Sequence, residues 1–165
     1  MPEITLEAVL FDAGGTLVRL DFEWMSGLLG SWGLEIPAAM LRRGEIEGRR
    51  RYDSSRGGRA RAGESPPPLG SAGDIRPYFV GMLEAAAVPG TFRERALEAF
   101  EQRHAATGLW TRPMEGAREA IDGVAALGLR SAVVSNSDGR AELHLSDCGV
   151  REGIEFVVDS RVAGI

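Results

Sequence analysis

Two residues in this chain sit where an apolar, strand-like run gives way to a loop, and both carry side chains able to do chemistry. They are Asp12 and Ser135. Asp12 closes Ala8-Val9-Leu10-Phe11 and is followed at once by Ala13-Gly14-Gly15-Thr16. Ser135 closes Ser131-Ala132-Val133-Val134 and is followed by Asn136-Ser137-Asp138-Gly139. Parallel α/β sheets bind ligands outside the carboxyl ends of their strands, so a carboxylate and a hydroxyl at two such ends are candidates to share a site. Aspartate before glycine is also ordinary turn chemistry, which leaves Asp12, taken alone, open between a structural and a chemical role. Lysine chemistry is excluded from the outset. All 19 basic residues are arginine, and a guanidinium, always charged, neither forms a Schiff base nor acts as a tunable amine.

The elements that must position these two residues follow from apolar periodicity. Ile4 to Phe11 predicts a first strand, ending in a continuous apolar run of the kind found in buried parallel strands. Residues 131–134 predict a second and Ile154 to Val158 a third, ending at Asp159-Ser160. Before the second strand, Met114, Ala117, Ile121 and Val124 recur at helical spacing and Gly128 closes the segment. After it, Ser137 or Asp138 is placed to cap a helix carrying Ala141, Leu145 and Cys148 on one face. This alternation predicts a parallel sheet with crossover helices. Residues 20–107 differ. Four helices are expected there, over Asp21 to Trp32, Ala38 to Tyr52, Ile75 to Val88 and Phe92 to Ala106, the last opened by a Thr91/Glu94 capping box. Ser54 to Asp74, rich in glycine and proline, is expected to be a loop. The predicted architecture is a discontinuous α/β core of residues 1–19 and 108–165 with a helical insertion at 20–107.

Composition narrows the function classes. The formal net charge of −5 argues against nucleic acid as the main partner. No apolar run is long enough to span a bilayer, and the amino terminus lacks the features of a secretory signal. A single cysteine, Cys148, excludes an internal disulfide framework and fits a reducing compartment. The expectation is a cytoplasmic protein.

The string Phe11-Asp12-Ala13-Gly14-Gly15-Thr16-Leu17-Val18 resembles the first motif of the haloacid dehalogenase-like (HAD) hydrolase superfamily, and Val133-Val134-Ser135-Asn136 is similar to its second. Leu109 to Pro113 with the following helix, and Phe156 to Ser160, resemble matching parts of members with a helical cap. The resemblance covers the first 18 residues and roughly the last 55; the cap matches only in position, size and helical character. It implies an incomplete, doubly wound, Rossmann-like parallel sheet with an inserted cap. It also implies a mechanism in which Asp12 attacks an electrophilic centre, usually phosphorus, to form an aspartyl intermediate that water hydrolyses. Mg²⁺ would be held by the Asp12 carboxylate and the Gly14 carbonyl. Thr16, Ser135 and Asn136 would bind substrate, with Ser135 and nearby backbone N–H groups holding phosphate oxygens at a helix N-terminus. The function this implies is an Mg²⁺-dependent phosphatase acting on a small phosphorylated metabolite.

Two departures from the family pattern qualify that expectation. Phosphatases of the superfamily carry a second aspartate two residues after the first, as general acid and base; here the position is Gly14. Such help is typically worth ~10²–10⁴ in rate, so acyl phosphates and other activated esters should suffer least from its loss. Family dehalogenases also lack that aspartate, which keeps a carbon–halogen hydrolase open as an alternative, but their motif has a tyrosine where Gly14 stands. The family further has a lysine after the third strand and a later acidic pair, neither of which is in this sequence. The expectation is therefore a C-terminally truncated member, impaired as it stands or an inactive interaction module, with an exposed sheet edge able to support self-association.

The remaining candidates read as structural. His104 is expected in packing, and His144 with Cys148 lacks further metal-type partners in sequence. The basic run through Arg42, Arg43, Arg49, Arg50, Arg51, Arg56, Arg59 and Arg61, interleaved with Glu45, Glu47 and Asp53, reads as a solvated helix face followed by a loop. Trp24 and Trp110 are open between core packing and the entrance of a site. Arg161 is a weak candidate for the missing positive charge.

Overall fold

The computed structural model describes residues 6–57 and 75–164. In chain order the elements are β1 (Ala8–Phe11), β2 (Val18–Arg19), α1 (Phe22–Gly30), α2 (Ala38–Gly57), α3 (Arg76–Ala85), α4 (Gly90–Ala106), β3 (Arg112–Pro113), α5 (Ala117–Ala126), β4 (Arg130–Ser135), α6 (Ala141–Asp147), β5 (Phe156–Asp159) and α7 (Ser160–Ala163). They divide into two compact units, residues 6–20 with 110–164 and residues 21–57 with 75–109.

The first unit is α/β. Its sheet has the order β1-β4-β5, all parallel, with Phe11 opposite Val133 and Ser135 opposite Asp159. Because side chains alternate along a strand, Phe11, Val133 and Val157 share one face. Ala117 and Ile121 of α5 and Leu145 of α6 form a core with them and with Leu17, Val150 and Ile154. Leu10, Val134 and Phe156 point to the other face and are 65%, 46% and 46% exposed. The apolar run of β1 therefore does not signal burial on both faces, as the sequence pattern suggests. β1 is an edge strand of the sheet among the described residues, and Leu10 on it is largely exposed. β2 and β3, too short for any periodicity to announce, form an antiparallel pair just before and just after the inserted helices.

The second unit is the helical insertion, α1 to α4. Phe22, Met25, Leu29, Leu41, Phe79, Met82, Leu83, Phe100 and Leu109 are among its fully buried large side chains, and the rings of Phe79 and Phe100 meet edge-on at 5.5 Å between centroids. Asp21 caps α1 by accepting from the Trp24 amide at 3.0 Å, and its other oxygen takes an Arg103 guanidinium at 2.9 Å. α2 runs on through Gly57, beyond the Tyr52 expected; residues 58–74, most of the expected loop, lie outside the described residues. The basic run pairs with its own acidic neighbours, Arg49 with Glu45 and Arg50 with Glu47, while Arg51 reaches Glu84 on α3 at 2.5 Å. Arg59 and Arg61 lie outside the described residues.

Two expected caps are replaced. α4 starts at Gly90 with Pro89 at its N-cap and no side-chain cap, so Thr91 falls inside the first turn and Glu94 instead pairs with Arg76. α6 starts at Ala141 with no cap from Ser137 or Asp138. Asp138 pairs with Arg140, and the carboxylate serving the start of α6 comes from the end of β5.

Candidate active site

Asp12 follows the last residue of β1, where the ladder to β4 ends, and is exposed. Its Oδ1 accepts hydrogen bonds from the Ala13 amide at 2.7 Å and from Ser135 Oγ at 3.2 Å. Ser135 ends β4 and is buried. The two residues that the sequence places at strand ends therefore meet, although they stand 123 positions apart. Among the described residues no group donates to Oδ2, which leaves that oxygen for an electrophile or a cation.

The turn after Asp12 holds this arrangement in place. The Ala13 carbonyl accepts from the amides of Thr16, Leu17 and Val18 at 3.2, 2.9 and 3.0 Å, and Gly15 donates to the Val18 carbonyl. Gly15 takes φ of +80°, open to glycine at no steric cost. Leu17 and Val18, 1% and 2% exposed, anchor the far end of the turn in the core. Gly14 is exposed, and a Cβ built there would sit 3.6 Å from Cδ1 and Nε1 of Trp110, an ordinary contact. The Thr16 side chain is exposed and makes no polar contact among the described residues.

On the β4 side, Asn136 is exposed and its Oδ1 accepts from Ser160 Oγ at 3.1 Å. The helix start expected to receive phosphate is already occupied. The buried Asp159 carboxylate accepts from the amides of Gly139 and Ala141 at 3.1 Å and from Arg161 at 3.0 Å. Sequence reasoning marks Asp159-Ser160 only as the end of the third strand and assigns neither residue a role. Their signal is the position of both at the end of a strand parallel and adjacent to β4.

Other candidates fall into packing. His144 is buried, and burial, reinforced by the Arg140 charge, pushes its pKa below the ordinary histidine value. Burial likewise raises the Cys148 thiol. Trp110 is partly buried against the α/β core, and Trp24 lies against the tilted ring of Phe100 and under the Arg103 guanidinium, which is 4.1 Å from its ring centroid. Among the described residues no group of three or more His, Cys, Asp or Glu side chains is placed to hold a metal ion. The donor set nonetheless suits a hard cation, because the exposed Asp12 carboxylate and the exposed Gly14 carbonyl would offer hard oxygen donors, and Mg²⁺ commonly takes its remaining ligands from water and substrate phosphate. No helix of the described residues is long and apolar enough to cross a membrane.

No protein-family model matches the chain. Over 50 residues it is 48% identical to haloacid dehalogenase-like hydrolase domain-containing protein 3 of Xenopus laevis, a stretch that makes up 30% of this chain and 20% of that protein. Its fold is similar to that of a hydrolase from Streptococcus pneumoniae (TM-score 0.55, 15% identity, 98% of this chain and 70% of the other). It is also similar to an L-2-haloacid dehalogenase (TM-score 0.53, 16% identity, 96% and 66%). The chain spans 58% of a second L-2-haloacid dehalogenase, from Xanthobacter autotrophicus (TM-score 0.47, 15% identity, 96% of this chain).

Proposed function

We propose that the chain is a haloacid dehalogenase-like hydrolase, a reading supported by its 50-residue match to a protein of that name, and that Asp12 is the nucleophile of a phosphatase acting on a small phosphorylated metabolite. One observation carries this reading: the Asp12 carboxylate is exposed at the end of β1, with Oδ1 held by Ala13 and Ser135 and Oδ2 unengaged among the described residues. Fixing one oxygen orients the other, which is the positioning that covalent catalysis needs. Oδ2 forms a bond to phosphorus while the bond from phosphorus to the leaving oxygen breaks, and the leaving group departs with that electron pair. Water then attacks the aspartyl phosphate, releasing inorganic phosphate and restoring the carboxylate. Ser135 Oγ, within reach of Asp12, is positioned to turn its hydrogen toward a phosphoryl oxygen. Mg²⁺ held by Asp12 and the Gly14 carbonyl would offset the repulsion between carboxylate and phosphate.

Gly14 sets the leaving group. It cannot donate a proton, so the leaving oxygen must be a weak base, and acyl phosphates fit better than alkyl esters. The setting we infer is cytoplasmic, with neither nucleic acid nor membrane as partner. The absence of an acid at position 14 leaves a second reading, displacement of halide from a 2-haloacid by Asp12, which needs neither metal nor general acid, although the dehalogenase motif has a tyrosine where Gly14 stands. Hydrolysis of acetyl phosphate and of 2-chloropropionate, each with Mg²⁺ and with chelator, separates the two. The phosphatase reading expects Mg²⁺-dependent release of phosphate that Asp12→Asn abolishes. Equal rates for Asp12→Asn and wild type would remove Asp12 from the nucleophile's role, and chelator-insensitive chloride release would establish the second reading.

A further inference from the structure

We propose that Asp159 and Ser160 are positioning residues that hold the Ser135 side of the site in its ligand-binding shape; this rests on the reading of Asp12 and Ser135 as a phosphate site. The observation is a buried acid with an unusual set of partners. Asp159 is 6% exposed, and among the described residues its carboxylate is satisfied by backbone amides alone. Burying a charge is costly unless it is fully hydrogen-bonded, so a carboxylate kept here needs every one of those donors. Two of the three, Gly139 and Ala141, belong to the segment that follows Ser135, while Asp159 belongs to the neighbouring strand.

Ser160 adds the other half of the tether. Its hydroxyl is shared between Asn136 Oδ1 at 3.1 Å and the Ser137 carbonyl at 3.4 Å, and the residue is 7% exposed. Positions 136, 137, 139 and 141 are thus all fixed by two adjacent residues at the end of β5. Gly139 takes φ of +98°, a conformation that L side chains rarely adopt, so the loop reaches Asp159 only through a backbone bend that glycine allows. With the amides of Gly139 and Ala141 consumed, the donors left to a phosphate on this side are Ser135 Oγ and the amides nearest it. Their directions are set by how β5 holds the loop. A small misplacement of donors around a reacting phosphoryl group is costly out of proportion to its size.

The test compares wild type with Ser160→Ala, Ser160→Thr and Asp159→Asn, reading KM and kcat for acetyl phosphate with Mg²⁺, binding of inorganic phosphate by calorimetry, and thermal unfolding. The expected result is a rise of about tenfold or more in KM and in the phosphate Kd for Ser160→Ala, a smaller fall in kcat, and recovery in Ser160→Thr. Asp159→Asn, which turns an NH₂ toward amide donors, should behave like Ser160→Ala or worse. A purely structural pair would lower the unfolding temperature while leaving KM and Kd of the folded protein at wild-type values, and that outcome overturns the proposal. Should Asp159→Asn fail to fold, Ser160→Ala against Ser160→Thr decides alone. Wild type that neither binds phosphate nor turns over acetyl phosphate overturns both this proposal and the phosphatase reading. Turnover by wild type with unchanged constants in Ser160→Ala overturns only this one.

Discussion

On the proposed role of Asp12 as nucleophile, position 14 bears on which leaving groups it can displace. A side chain there is sterically allowed, since a Cβ would meet Trp110 only at 3.6 Å, so the missing general acid can be restored. Gly14→Asp is expected to raise kcat/KM for alkyl phosphate esters by about 10²-fold or more while changing acetyl phosphate turnover far less, as a comparison of the two substrates on both proteins would reveal. His144 offers a second residue-scale test. Burial, then the Arg140 charge, depresses its pKa in the fold, against weaker opposing pulls from Asp138 and Asp147. The unfolded chain therefore binds a proton near the ordinary value of about 6.5 that the native protein resists. Above that pH both states are neutral and nothing changes; as pH falls below it, stability is lost. Urea unfolding followed from pH 7 to pH 5 should show this decline, and His144→Gln should flatten it.

At the scale of elements, the helical insertion depends on close approach of two backbones. A Cβ at Gly44 would lie 2.5 Å from the Met82 carbonyl, and one at Gly48 would lie 2.6 Å from the Tyr78 carbonyl. Gly48→Ala is expected to destabilise the protein by about 1–3 kcal/mol, whereas Gly27→Ala, in α1 with nothing within 4 Å, should stabilise by about 0.5–1 kcal/mol. Denaturant midpoints of the two variants should move in opposite directions. The crossover helices were readable because Ala117 and Ile121 on α5, and Ala141 and Leu145 on α6, repeat at helical spacing and all four are buried. Asp12 and Ser135 were readable because an apolar strand ending in a polar residue marks a carboxyl-end position. The cap of α6 was not readable: its carboxylate arrives from Asp159, 18 residues downstream of the amide it accepts, and no local pattern encodes a partner supplied by another strand. β2 and β3, two residues each, carry too few side chains for alternation to appear.

The whole molecule presents one feature that a parallel sheet usually conceals. Such sheets are normally covered on both faces, yet here Leu10, Val134 and Phe156 remain exposed beside an edge strand, Ala8-Val9-Leu10-Phe11, that carries neither charge nor proline. Those are the devices that blunt edges against pairing with another chain. Sedimentation over a range of concentrations is expected to show self-association, and Leu10→Lys to suppress it; a wild-type monomer throughout would refute this. The partition into two units has a spectroscopic corollary. Trp24 and Trp32 lie in the helical unit, each against an arginine, while Trp110 alone serves the α/β unit. Replacing the first two by phenylalanine would leave a single indole beside Gly14, an intrinsic fluorophore whose emission would follow the melting of the α/β unit and test the proposed binding of phosphate at Asp12, each without a label.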